Sequence, residues 1–233
     1  MKKLLRLALC AAGLLSVNSG SAAELYNLDF LAPETGTYTT VFGTPTIVAT
    51  VGPLSRALVF DAVTSYEQIR LAVGGFGPHY NLTYDVLVHN LRGSQYGFAM
   101  VLDTPQVRTV TFHGGLNQID FFNPGVFSGT TSTAFANDTV YHMGVAIDFP
   151  MNRWTVAVNG TERLNQPINA TQLSAIRFSM DPWIGGAVDG PGVYAALDNV
   201  VLTVTPEPSA GLLAGMAGML WLALRRFRRP ATA

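Results

Sequence analysis

Apolar residues alternate with polar or small ones through almost the whole middle of this chain, and that rhythm admits one kind of element. In "YNLTYDVLVHNL" Leu82, Tyr84, Val86 and Val88 fall on one side, and "YHMGVAIDF" sets Met143, Val145, Ile147 and Phe149 against smaller or polar neighbours. A period of two is that of a half-buried strand, because successive side chains leave the backbone in opposite directions. "RWTVAVNGTERL" runs Trp154, Val156 and Val158 into Asn159-Gly160. That pair is the strongest short signal for a hairpin, since both central residues of a tight hairpin turn adopt positive φ. Further strands fit "LYNLDF", "TPTIVATV", "RALVFD", "YEQIRLAV", "YGFAMVLD", "VRTVTF", "NQIDFF", "SAIRFSM" and "GVYAALDNVVLTV", separated by Gly, Pro, Asn and Thr clusters. No helical periodicity appears between Glu24 and the C-terminal tail. The expected fold is all-β, a dozen or so antiparallel strands in a two-sheet jelly-roll sandwich.

Both ends of the chain read differently. Lys2, Lys3 and Arg6 precede an apolar stretch from Leu7 to Val17 and then "NSGSAAE", the three-part plan of a secretory signal peptide. Cleavage is expected before Glu24, so residues 1–23 are assigned to the signal peptide. Cys10, the only cysteine, lies within it, and the mature chain must find its stability in a core rather than in disulfides. At the other end, Pro206, Glu207 and Pro208 are followed by an uncharged apolar run over 210–224 and by Arg225, Arg226, Arg228 and Arg229. As a helix, fifteen residues cover roughly 22 Å, short for a bilayer core of about 30 Å. Arginine arms that extend outward to head groups make such a span workable, and positive charge places them in the cytoplasm. Residues 205–233 thus read as a tail with one transmembrane helix, which holds residues 24–204 on the far side of the membrane.

This ordered tail of Pro-Glu-Pro, apolar span and arginine cluster resembles the PEP-CTERM sorting signal of Gram-negative bacteria. The resemblance implies export across the inner membrane and transient anchoring by the tail. It further implies recognition and removal of the tail near Pro206–Pro208 by an exosortase-type enzyme, and release to the cell surface or biofilm matrix. The tail points to a bacterium, so the sequons at Asn81, Asn137, Asn159 and Asn169 are read as compositional rather than as glycosylation sites.

Residues 24–204 number 181, enough for one domain with a sizeable core. They hold seven arginines and no lysine against four glutamates and ten aspartates. About seven units negative, the domain has no electrostatic footprint for nucleic acid or anionic lipid. "NRWTVAVNG", "SAIRFSM" and "AALDNVVLT" resemble the strand pattern of concanavalin A-like lectin and laminin-G-type sandwiches. That resemblance implies that the first strand, in "LYNLDF", and the last, in "AALDNVVLTV", lie side by side.

Catalytic patterns are lacking. Sandwich-fold hydrolases that carry a Glu-x-Asp-x-x-Glu strand have no counterpart here, where Glu24, Glu34, Glu67 and Glu162 stand far apart, and no Gly-x-Ser-x-Gly elbow occurs. His79, His89, His113 and His142 are singletons without metal-ligand spacing and read as strand-face residues. Asp103 and Asp148, each at a strand end before a proline, are expected to cap turn amides. A binding site remains. Sugars present apolar ring faces and hydroxyls, which an aromatic platform beside carboxylates recognises. "SMDPWIGGAVDGPG", read as a loop, offers Asp181, Trp183 and Asp189. Aspartates and loop carbonyls would suit calcium, yet neither Asp181 nor Asp198-Asn199 has the spacing of a calcium loop. No cofactor is expected and the metal is left open. The preferred reading is an exported, non-enzymatic surface or matrix protein associated with extracellular polysaccharide. The alternatives are a glycan-acting hydrolase or lyase on the same sandwich and a protein–protein adhesion module.

Overall fold

The computed structural model describes residues 22–30, 36–61, 66–73, 77–91, 97–122, 132–180, 183–184, 187–188 and 192–205. The N-terminal segment and the sorting tail with Pro206, Glu207, Pro208 and Arg225–Arg229 lie outside them. No helix among the described residues is long and apolar enough to cross a membrane. Glu24–Val204 form one compact unit.

Its strands run β1 (Ala23–Leu28), β2 (Thr39–Phe42), β3 (Thr46–Val48), β4 (Ala57–Phe60), β5 (Glu67–Ala72), β6 (His79–His89), β7 (Phe98–Asp103), β8 (Arg108–His113), β9 (Gln118–Phe122) and β10 (Thr133–Ala134). They continue as β11 (Val140–Asp148), β12 (Arg153–Val158), β13 (Thr161–Gln166), β14 (Ala175–Met180), β15 (Trp183–Ile184), β16 (Ala187–Val188) and β17 (Tyr194–Thr205). The first sheet has the order β13-β12-β11-β6-β17-β4-β3, with β1 also paired to β17, so the first and last strands do lie side by side. The second runs β10-β9-β8-β7-β14-β5-β2. Sequence neighbours such as β4, β5, β6 and β7 alternate between the sheets, as a jelly-roll sandwich requires.

The alternation decides which face goes inside. Leu82, Tyr84, Val86 and Val88 of β6 and Met143, Val145 and Ile147 of β11 are buried, as are Ile69, Leu71, Met100, Val110, Ile176 and Phe178 from the second sheet. Each such side chain taken from water contributes about 1.5–3 kcal/mol. Aromatic rings bridge the layers edge to face: Tyr84 meets Phe178 at 5.1 Å, Phe60 meets Phe98 at 5.7 Å and Phe112 meets Tyr141 at 5.7 Å between centroids. Asn159 and Gly160 carry φ of 49° and 75° in the β12–β13 hairpin, and the Asn159 side chain accepts from the His142 backbone N–H at 2.9 Å. Asn137 accepts from Leu91 N–H, and Asn169 is cross-bonded to Asn152. Three of the four sequon asparagines thus serve turns and strand ends.

Three of the described strands break the period: in β13 the register passes from Val156↔Leu164 to Ala157↔Glu162, which skips Arg163, and the other two are β17 and β2. In β17 the core positions are Ala195, Leu197, Val200 and Leu202, a step of three where two is expected, and Asn199 takes φ 50°. An extra residue is therefore accommodated at Asp198-Asn199, the mark of a bulge. In β2 the register passes from Thr40↔Ile69 to Phe42↔Gln68, which skips Val41 and sets Phe42 opposite Gln68.

The Tyr84 hydroxyl is buried with no hydrogen-bond partner among the described residues, and burial pushes its pKa far up. An unpartnered buried hydroxyl costs about 1–3 kcal/mol. Y84F, which keeps the ring against Phe178, is expected to stabilise the domain by about 1 kcal/mol, or about 2–4 °C in Tm. Denaturant and thermal unfolding check this, and a lower Tm would show that the hydroxyl is satisfied.

Candidate functional site

The outward face of the second sheet collects polar and aromatic side chains in two rows. Strand register aligns Asp120, Thr111, Ala99, Ser179, Gln68 and Phe42 across β9, β8, β7, β14, β5 and β2. The adjacent row is Phe122, Thr109, Val101, Arg177, Arg70 and Thr39. With neighbouring strands about 4.8 Å apart, each row spans about 24 Å. The middle of the face is a shielded polar floor, for Thr111, Ser179 and Gln68 are buried. Phe42 (54 % exposed) stands at one end and Phe122 (36 %) at the other.

Phe42 is held in place by its surroundings. The bulge at Val41 turns its ring toward Gln68 rather than away, and the ring packs on Tyr66 at 5.4 Å. Gln68 Nε2 donates to the Tyr66 hydroxyl, so ring, phenol and amide form one cluster. Gly43 follows with φ 67°, and a Cβ there would meet Glu67 Cγ at 2.6 Å, so glycine alone fits the turn. Buried Glu67 pins the same turn, because its carboxylate accepts from Thr44 N–H at 3.3 Å and from Asp61 N–H at 2.9 Å. One of the four glutamates is thereby assigned to structure.

Charge on this face is unevenly placed. Arg177 stands directly opposite Arg70 on the neighbouring strand. Arg177 Nε and Nη2 both donate to one oxygen of Asp103, at 2.8 and 2.5 Å, whereas Arg70 is exposed. Asp103 therefore serves a cross-strand arginine, which corrects its expected role as a turn cap. Asp148 does cap, accepting from Met151 N–H at 2.8 Å. Burial raises the Asp120 carboxyl above its ordinary range, and His113 and the Gln118 amide pull it back.

The histidines sit mostly on the outward face of the first sheet, and the pairing of β6 with β11 gives them partners. His142 Nδ1 lies 2.6 Å from Asp85, directly across the strands, and His79 lies 3.3 Å from Asp148. His89 pairs with Asp138 and stacks on Tyr194. Asp85 also accepts from Asn199 Nδ2 at 2.7 Å, and the Asn199 N–H donates to Asp198 at 2.8 Å. Asp198 is only 4 % exposed. Burial raises its pKa, its bond from Asn199 lowers it, and the charges of Asp85 and Asp29 raise it further. Among the described residues no group of three or more His, Cys, Asp or Glu side chains is placed to hold a metal ion.

Of the expected binding residues, Asp181 and Asp189 lie outside the described residues. Trp183 opens β15, which pairs with β16 as Trp183↔Val188 and Ile184↔Ala187. The stretch read as a loop therefore contains a two-stranded hairpin, a short apolar pair on each side of Gly185-Gly186 that the glycine and proline count concealed.

These features define a two-sheet antiparallel β-sandwich with a ribbon of polar and aromatic residues on one outer face. No protein-family model matches the chain, and neither does any curated protein. Among solved structures it is similar to domain 4 of an extracellular arabinanase from Geobacillus stearothermophilus, solved with arabinotriose (17 % identity, TM-score 0.55, covering 79 % of this chain and 93 % of that one). It is also similar to a carbohydrate esterase from a Shiga toxin-encoding bacteriophage (11 %, TM-score 0.56, 79 % and 100 %). A third is a cellulose-induced protein (9 %, TM-score 0.56, 76 % and 95 %). At such identities the likeness is one of fold.

The Asp198 shift makes a pH prediction. A carboxyl whose native pKa exceeds its unfolded one takes up protons on folding, so its contribution to stability falls as pH rises from the ordinary carboxylate value through the native one. D198N, which stays neutral and keeps an oxygen for Asn199, should melt about 2–4 °C above the wild type at pH 7. The difference should vanish toward pH 3. A variant that melts lower at pH 7 would show that the ionised carboxylate is stabilised in place.

Proposed function

We propose that this protein is an exported, non-enzymatic component of the cell surface or extracellular matrix that holds polysaccharide along the outward face of its second sheet. The observation that carries the reading is the exposed Phe42 ring, packed on Tyr66 beside the Gln68 amide at the end of a polar row. An aromatic ring stacks on the apolar face of a sugar while amide, hydroxyl and carboxylate groups in its plane pair with the hydroxyls. Gln68, Ser179 and Thr111 are buried, so the polar groups open to a sugar are those of the adjacent row, Thr39, Arg70, Arg177 and Thr109, and a face about 24 Å across accommodates several sugar units. The similar arabinanase domain was solved with a bound oligosaccharide, and the other similar proteins act on or are induced by carbohydrate, which supports a glycan as the ligand class.

Delivery follows from the chain ends. The signal peptide would bring residues 24–204 across the inner membrane, the tail would hold them there, and an exosortase-type enzyme acting near Pro206–Pro208 would release them. The hairpin that starts at Trp183, with Asp181 and Asp189, would add a second contact to the same polymer. No metal is required by the face as described.

The test is retention of the purified full-length protein on polysaccharide isolated from the producing organism's own matrix. Saturable retention without shortened sugars is expected, and F42A should weaken it by about 1 kcal/mol, roughly fivefold, at unchanged Tm. Shortened sugars would overturn the non-enzymatic reading in favour of a hydrolase or lyase. Failure of the wild type to be retained would overturn the glycan reading and direct attention to protein partners.

A further inference from the structure

We propose that Arg70 and Arg177 together form a receptor for carboxylate groups, so that the polysaccharide taken by this face is an acidic, uronate-bearing one. This rests on the glycan reading above and adds the class of sugar. The two arginines occupy directly opposed positions on adjacent antiparallel strands. Their Cβ atoms are therefore about 5 Å apart and their guanidinium groups leave the sheet on the same side.

Like charges so placed disfavour the folded sheet unless something anionic lies between them. Asp103 answers only part of that charge. Both Arg177 bonds go to one Asp103 oxygen, and among the described residues Arg70 forms no ion pair. Edge protection does not explain Arg70. Lysines and arginines commonly guard open sheet edges, but β5 is flanked by β14 and β2, and β14 by β7 and β5. Both arginines stand inside the sheet, in a domain that carries seven arginines and no lysine.

Chemistry selects the ligand. A guanidinium presents a planar fork of donors that matches a carboxylate bidentately. Two forks on one face offer more donors than Asp103 alone accepts. Gln68 lies one row away, two residues along the strand from Arg70, a step of about 7 Å, and Phe42 stands opposite it, three residues from Thr39 because of the bulge at Val41. A sugar ring on Phe42 thus brings its own carboxylate, or that of the next unit, to the arginines. The negative charge of the domain does not forbid this. At physiological ionic strength charges more than about 8 Å apart are largely screened, so the local pair decides.

The test compares the full-length protein on immobilised polygalacturonate, on the same polymer fully methyl-esterified, and on dextran sulfate. The wild type should bind the free acid at least about tenfold more tightly than the ester. R70Q, which relieves the like-charge opposition, should lose that preference with no loss of Tm, and F42A should weaken binding to both forms by a similar factor. Equal binding of acid and ester, or an R70Q variant that keeps the preference, would overturn the carboxylate assignment. If matrix polysaccharide were still retained through Phe42, the glycan reading would survive that result. Loss of retention on every polymer would instead overturn the glycan reading itself. Arg70-dependent retention on dextran sulfate alone would overturn the carboxylate assignment in favour of sulfate esters.

Discussion

Burial of one face of every strand against the opposite sheet sets the position of all the residues on the outside. The aromatic contacts of Tyr84 with Phe178 and of Phe60 with Phe98 link the layers. A slip of one residue would turn the buried set of a strand toward solvent, and several side chains worth about 1.5–3 kcal/mol each would be lost together. Register is therefore rigidly specified, and with it the outward rows. Arg70 faces Arg177 because Ile69 and Leu71 on one strand and Ile176 and Phe178 on the other must face inward. The two outward rows are thus a consequence of core packing.

The irregularities at Val41 and at Asp198-Asn199 matter for the same reason. Skipping Val41 puts a phenylalanine rather than a valine opposite Gln68, and the Gly43 turn pinned by Glu67 keeps it there. The extra residue at Asp198-Asn199 moves a carboxylate into a shielded position, where Asn199 ties it to Asp85 and the His142 pair. One bulge builds an exposed platform. The other stores charge beneath a hydrogen-bonded network, at some cost to stability.

Much of the fold could be read in the sequence, because its signals are local and repetitive. The alternation in Tyr80–Leu91 and Tyr141–Phe149 identifies inward residues, and Asn159-Gly160 marks its hairpin. The pairing of first and last strands came with the likeness to lectin-type sandwiches. The outward face was less legible, since it is assembled from β9, β8, β7, β14, β5 and β2, which lie far apart in the chain. The signal was present in "EQIRLA" and "AIRFSM", where arginines alternate with core residues, but nothing local shows that the two strands are neighbours. Asp103 looked like a turn cap for the same reason, since its partner lies seventy-four residues away. The short pairing of Trp183–Ile184 with Ala187–Val188 was hidden by flanking glycine and proline.

Amide hydrogen exchange on the full-length protein, with and without saturating matrix polysaccharide, tests the central claim most directly, because it reports where the polymer lies. Added protection or slowed exchange should map to β2, β5 and β14, around Phe42, Gln68, Arg70 and Arg177. Protection confined to the β6–β11 face, around His142 and Asp85, would contradict the account.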